Sequence, residues 1–236
     1  SQLAKELEPG LNALFGLEYK RYENEAAEIF DQESSDRAFE EEVMLGGFAG
    51  APVKNEGAAI NYDTAQESFT ARYTNETIAL AFAITEEAVE DNLYDRVSAR
   101  YTKALARSMA NTKQVKGANI LNNAFSTNAA DFGGDGVALA STAHPTLTGG
   151  NFSNRSATDA DLNETSLEQA VIDVAAFIDE RGLKIALKPM KMIIPSALQF
   201  VADRLMNSSG RVGTADNDIN VFNQSGYIPQ GYTVNH

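Results

Sequence analysis

Between Leu11 and Met44 the apolar residues Leu14, Phe15, Leu17, Tyr19, Tyr22, Ile29, Phe30 and Phe39 are scattered through an acidic background. That scatter predicts short helices rather than one continuous apolar face. Gly46-Gly47-Phe48-Ala49-Gly50-Ala51-Pro52 is a cluster of breakers and marks a first boundary. Beyond it, Ala58 to Asp63 and Glu67 to Ile84 read as the two strands of a hairpin, because Ile78, Leu80, Phe82 and Ile84 alternate with Thr77, Ala79, Ala81 and Ala83. Such strands outrun the usual length of about six residues. The distal part, around Lys54 to Arg72, is therefore expected to project from the body.

Thr85 precedes Glu86 and Glu87, a helix start in which a hydroxyl caps free amides and acids oppose the positive end of the helix dipole. Leu93 to Phe125 carries the strongest helical pattern, predicting a rod of roughly 50 Å at 1.5 Å per residue, with Gly117 as a place where it can bend. Val97, Tyr101, Ala104, Leu105, Ser108 and Thr112 fall on one side and are expected to be its buried face. Arg96, Arg100, Lys103 and Arg107 form a narrow cationic strip on another.

Ser126 to Asn154 is rich in Gly, Ser, Thr and Asn, too long for an ordinary connector, and reads as an extended or mobile loop. Thr165 or Ser166 is expected to cap a helix reaching about Glu180, with Leu167, Val171, Val174, Ala175 and Ile178 buried and Gly182 as its stop. Lys191 to Ile194 reads as a short buried strand ended by Pro195, Ser196 to Met206 as a second amphipathic helix, and Asn207 to Asn223 as polar loop. The section from Ser166 to His236 is predicted to be a compact α/β unit.

Composition narrows the function. The 236 residues are 43% hydrophobic and 22% charged, ordinary for a protein with a packed core. No run approaches the roughly 18 apolar residues of a membrane helix, and the first ten residues lack the regions of a secretion signal. Without cysteine there is no disulfide or thiolate metal site, so packing and contacts with other chains must supply stability. The formal net charge is −14, which opposes binding to nucleic acid and anionic membranes. More than half of that excess lies in the first 42 residues, where twelve acids face four bases. Two readings fit this segment: a solvated helical surface, or an acidic arm that docks on a basic partner.

Catalytic chemistry finds little support. The two histidines, His144 in the long loop and His236, give a histidine metal site or a hydrolytic triad very little to work with and read as loop residues without a catalytic role. Two stretches begin like calcium loops, Asp159 to Asn163 and Asp216 to Asn220. Both fail where the loop requires Gly, which is Glu164 or Val221, and at the closing Glu, which is Ala170 or Tyr227. No phosphate loop, nucleophile elbow or dinucleotide fingerprint is present, and no cofactor is expected. The cationic strip could hold phosphates, but it lacks interleaved aromatics for stacking. Acidic protein segments, from the same or a neighbouring copy, suit it better.

The order of acidic arm, projecting hairpin, short helix, long helix, polar loop and α/β unit resembles the subunit plan of tailed-bacteriophage major capsid proteins, the Hong Kong phage-type α+β fold. The wording of residues 55–63 (NEGAAINYD), 84–94 (ITEEAVEDNLY), 141–145 (STAHP) and 211–220 (RVGTADNDIN) is similar to that of phage major head subunits. The resemblance implies an N-terminal arm at 1–49, an extended loop at 50–76, a peripheral domain with a spine helix at 77–165 and an axial domain at 166–236. It also implies that similar members continue beyond residues 231–236. Its functional content is a non-enzymatic shell subunit that self-assembles as hexamers and pentamers in the host cytoplasm and resides in the virion. Double-stranded DNA would be enclosed but only weakly contacted. Portal, scaffold and decoration proteins are the implied partners, with no membrane. Lys54, Glu56, Arg72, Arg96, Arg100, Lys103 and Arg107 are the candidate assembly contacts. Some relatives cross-link an extended-loop Lys to a neighbour's Asn. Lys54 lies in that region, but the partner and assisting Glu have no matching position. The alternatives are an encapsulin-type nanocompartment shell, distinguished by protein cargo in place of DNA, and a small hydrolase.

Overall fold

The computed structural model describes residues 2–83, 94–211, 213 and 218–236. They fall into two compact units, one made of Ser1–Ala38 with Thr74–Asn122 and the other of Phe39–Tyr73 with Asn123–His236.

The first unit is helical. Helix α1 (Gln2–Tyr19) lies along helix α3 (Tyr94–Asn122), and the single turn α2 (Ala26–Ile29) meets α3 further on. Leu11, Leu14 and Phe15 are half-buried at helical spacing on α1, and the Phe15 ring stacks on Tyr19 at 5.8 Å. On α3 the buried residues are Ser98, Thr102, Ala106 and Ala110, one every fourth position. These side chains are small, so a neighbouring backbone can come close. At Gly117 an added Cβ would sit 3.2 Å from the Ala26 Cβ, and the Gln114 side chain donates to the Glu23 carbonyl.

The long helix thus stands where its periodicity placed it, with its inner face rotated by roughly a third of a turn from expectation. Tyr101, Ala104 and Ser108, expected inside, are exposed. Tyr101 instead meets Phe82 edge-on with ring centroids 5.7 Å apart. The alternating residues before Ile84 do not form the expected strand either, since 75–83 has no regular structure. Asn75 turns the chain there: its amide donates to Ala38 O at 3.0 Å and its side chain to Arg37 O. Lys116 pairs with Glu76 on the same unit. The expected helix start at Thr85 lies outside the described residues.

The second unit begins with a two-stranded sheet of β1 (Phe39–Gly46) and β2 (Gln66–Thr74). The expected strand pair is therefore corrected in its first member: β1 comes from the segment read as arm, and 58–63 has no regular structure. Three consecutive glutamates hide β1 from a propensity reading. Cross-strand partners offset them, with Arg72 3.8 Å over the Phe39 ring and 3.6 Å from Glu41 Oε1.

Residues 126–154 form a set of pinned turns in place of an extended or mobile loop. A 3-10 turn at Ala129–Asp131 is capped by Asn128, Ser126 donates to Asp131 at 2.7 Å, and β3 (His144–Pro145) pairs antiparallel with β4 (Asn151–Phe152). Asn154 bridges the turns by donating to Leu139 O at 2.7 Å and accepting from the Ser141 amide at 2.9 Å. Gly134 lies flat on β2, where a Cβ would come within 2.8 Å of Thr70 O, so any side chain would lift this loop off the strand.

Helix α4 (Glu164–Ala175) starts two or three residues earlier than expected, because Asn163 is its cap in place of Thr165 or Ser166. The Asn163 side-chain Oδ1 accepts from the Ser166 backbone amide at 2.9 Å, and the Ser166 hydroxyl accepts from the Asn163 backbone amide at 3.0 Å. It also ends before Glu180. Ile178 bridges Lys184 across a turn at Gly182, whose φ of +84° favours glycine. Strand β5 (Met192–Pro195) pairs in parallel with β6 (Tyr232–Asn235), and the crossover carries α5 (Gln199–Asn207) and α6 (Val221–Ser225). Leu167, Met206, Phe222 and Ile228 form the core beneath, flanked by Val171, Met192 and Tyr232. Asn220 locks the crossover: its side chain donates to Leu205 O at 2.7 Å and Ser208 O at 2.9 Å and accepts from the Phe222 amide at 3.1 Å.

Candidate assembly surfaces

The connection from 47 to 65, between β1 and β2, is a loop with a closed neck. Asp63 accepts from the Ala49 amide at 2.8 Å and the Thr64 amide at 2.9 Å, and Arg181 donates to both of its carboxylate oxygens at 2.9 and 3.0 Å. The Ala49 and Thr64 amides, followed by the Arg181 guanidinium, hold the Asp63 carboxyl below the usual aspartate range. A depressed carboxyl contributes stability above its unfolded value, about 3.9, and loses it as pH falls through the folded value. The neck is thus shut at neutral pH and loosens in acid. Substituting Asp63→Asn removes the charge that Arg181 meets. Thermolysin cleavage within 50–62 at neutral pH is expected to become several-fold faster, and an unchanged rate would show that this contact does not hold the loop.

Beyond the neck the loop is exposed, with Val53 93%, Ile60 70% and Tyr62 96% accessible. Lys54 and Glu56 are exposed beside the turn at Gly57, where the Ala58 amide donates to Asn55 O at 3.1 Å. Arg72 stands on β2 and is engaged within its own sheet by Phe39 and Glu41. Arg96, Arg100, Lys103 and Arg107 are all exposed on α3, and among the described residues none of them forms an ion pair. The structure thus places Lys54, Glu56 and Arg72 on one unit and the four-cation strip on the other. The Asp63 clamp was not foreseen, because its partner Arg181 lies 118 positions away and no local pattern links them.

His144 is the one histidine in a structured cleft among the described residues. Its Nδ1 lies 2.5 Å from Asp135 Oδ2, both side chains are 18% exposed, and its buried Nε2 has no partner among the described residues. Phe69, Phe152, Ile178 and Glu180 help line the cleft. A histidine held by a carboxylate is two parts of a hydrolytic triad, but the described lining includes no Ser, Thr or Cys to act as nucleophile. The pair has the geometry of a hydrogen bond between two turns of the 126–154 segment, and the His144 ring is tilted against Phe152 with centroids 6.4 Å apart. Of the two calcium-like stretches, Asp159 pairs with Arg155 at 2.6 Å, and Asp216 lies outside the described residues. Among the described residues no cluster suits a metal ion, and no helix is long and apolar enough to cross a membrane.

No curated protein sequence matches significantly. A solved structure, the capsid of bacteriophage JBD30 decorated with minor capsid protein trimers, superposes with a TM-score of 0.54 at 14% identity, covering 85% of each chain. At that identity the likeness establishes a shared α+β capsid fold. The family model of phage capsid proteins matches residues 67–234, from the start of β2 into β6. That span is more than half of the chain, and the protein belongs to the phage capsid protein family.

Proposed function

We propose that this structural capsid protein is the major head subunit of a tailed phage, closing as hexamers and pentamers into an icosahedral shell around double-stranded DNA. The observation that carries the proposal is the 47–65 loop. A chain that acts alone gains nothing by fixing the neck of a loop and leaving Val53, Ile60 and Tyr62 in water. A subunit whose neighbour covers those side chains does. The proposed subunit plan keeps an arm at 1–49, an extended loop at 50–76, a peripheral domain at 77–165 and an axial domain at 166–236. In it β1 joins the arm to the base of the extended loop. Lys54 and Glu56 meet a neighbouring subunit, while Arg72 stiffens the strand that carries the loop. Decoration by a minor protein is proposed on the strength of the JBD30 capsid. The family match favours a phage head over a nanocompartment, and the packaged content, DNA or protein cargo, separates them.

The loop itself supplies the test. Hydrogen exchange across 50–62 is expected to be fast in the free subunit and strongly slowed in the assembled particle. Equal exchange in both states would show that no neighbour covers the loop and would remove the basis of the proposal.

A further inference from the structure

Among the described residues, the cationic strip of α3 has no ion-pair partner inside its own chain. Arg96, Arg100, Lys103 and Arg107 recur at spacings of four, three and four, which confines them to a strip about 60° wide on a helix turning 100° per residue. Like charges three and four residues apart repel each other. The strip lies about a third of a turn from the buried row Ser98, Thr102 and Ala106, so none of the four can reach the core. Lys103 and Arg107 also line a shallow groove with Ser108 and Asn111. The chain is strongly acidic, yet no carboxylate among the described residues pairs with the strip.

The same unit carries an acidic segment equally unused. Asp31, Glu33 and Asp36 lie in the exposed, irregular stretch between α2 and β1, and among the described residues none of the three forms an ion pair. By contrast, Glu18 pairs with Arg21, Glu41 with Arg72, and Glu42 accepts from Tyr73. The lengths also agree. Asp31 to Asp36 in extended form spans roughly 16 Å at 3.3 Å per residue. Arg96 to Arg107 along the helix spans roughly 16 Å at 1.5 Å per residue.

We infer that the strip of each subunit receives the 31–36 segment of a second copy of this chain. This rests on the shell reading and deepens it, since a ring of subunits that each give one segment and accept another closes without leaving either charge bare. Packaged DNA is the competing occupant. The chain's net charge of −14 disfavours it, and it is an outcome of the test.

Three variants decide the matter, compared with the unaltered chain for shell yield by sedimentation in low salt without DNA. Arg100→Glu with Arg107→Glu is expected to lower the yield about ten-fold, as is Glu33→Lys with Asp36→Lys, while the chain carrying all four substitutions recovers most of it. All the altered side chains are exposed, and circular dichroism on the soluble fraction verifies that each variant folds. Normal empty shells from the strip-reversed chain, with or without loss of DNA packaging, would overturn the inference. So would failure of the four-substitution chain to recover. Shells from the unaltered chain that ignore the strip sink only this pairing, whereas no shells from the unaltered chain sink the shell reading beneath it.

Discussion

Phe222→Ala is expected to destabilise the second unit by about 3–5 kcal/mol, the usual cost of removing a buried aromatic ring and leaving its cavity. Phe222 is 4% exposed and packs with Leu167, Met206 and Ile228, its ring meeting Tyr227 edge-on at 6.4 Å. The cluster joins α4, α5 and α6 beneath the parallel strand pair, and Asn220 fixes the approach of α6 from the preceding position. Few fully buried large side chains stand elsewhere among the described residues, so little is available to compensate. Stabilities of single domains are about 5–15 kcal/mol, which makes this loss a large fraction of the total. The melting temperature is expected to fall by on the order of 10 °C. Phe222→Leu, which keeps most of the volume, is expected to cost far less. Equal melting temperatures for Phe222→Ala and the unaltered chain would mean that the unit is held together elsewhere.

Ala106→Phe is expected to release α1 from α3. Ala106 is fully buried in the row of small side chains on α3, and α1 is the helix that lies along it. Ala106 has no exposed surface, so a phenyl ring there cannot be accommodated without moving what packs on that row. Overpacking of this kind costs about 1–3 kcal/mol, and separation of the two helices relieves it. Protease cleavage between α1 and α2, around residues 20–25, is expected to accelerate while α3 keeps its circular-dichroism signal. The control is Tyr101→Ala, on the face that the apolar pattern alone would have placed inside. Tyr101 is 48% exposed, and the substitution is expected to leave the cleavage rate nearly unchanged. A larger effect from Tyr101→Ala than from Ala106→Phe would mean that the Tyr101 face is the inner one.

That contrast marks where the sequence could be read and where it could not. The length and position of α3 follow from a repeat that only a helix satisfies, and β5 and α5 were legible because an apolar run and an amphipathic run are separated by Pro195. Apolar size predicts the wrong inner face for α3. Two helices in close contact bury Ser98, Thr102 and Ala106 and leave Tyr101 for the surface. β1 was hidden because Glu40, Glu41 and Glu42 oppose strand propensity locally, and Arg72, thirty-odd positions away, is what offsets them. β6 went unseen for a related reason. Its four residues become a strand only by pairing with β5 across a crossover. At the candidate surfaces, the charged strip could be seen as a spacing. The Asp63 and Arg181 clamp, a contact between distant segments, could not.

The shell itself gives the most direct test. Electron microscopy of the purified, unaltered chain, concentrated without DNA or partner proteins, is expected to show closed particles of uniform diameter with pentameric and hexameric clusters on their surface. A protein that stays monomeric or dimeric at every concentration, with its 47–65 loop exposed throughout, would contradict the account.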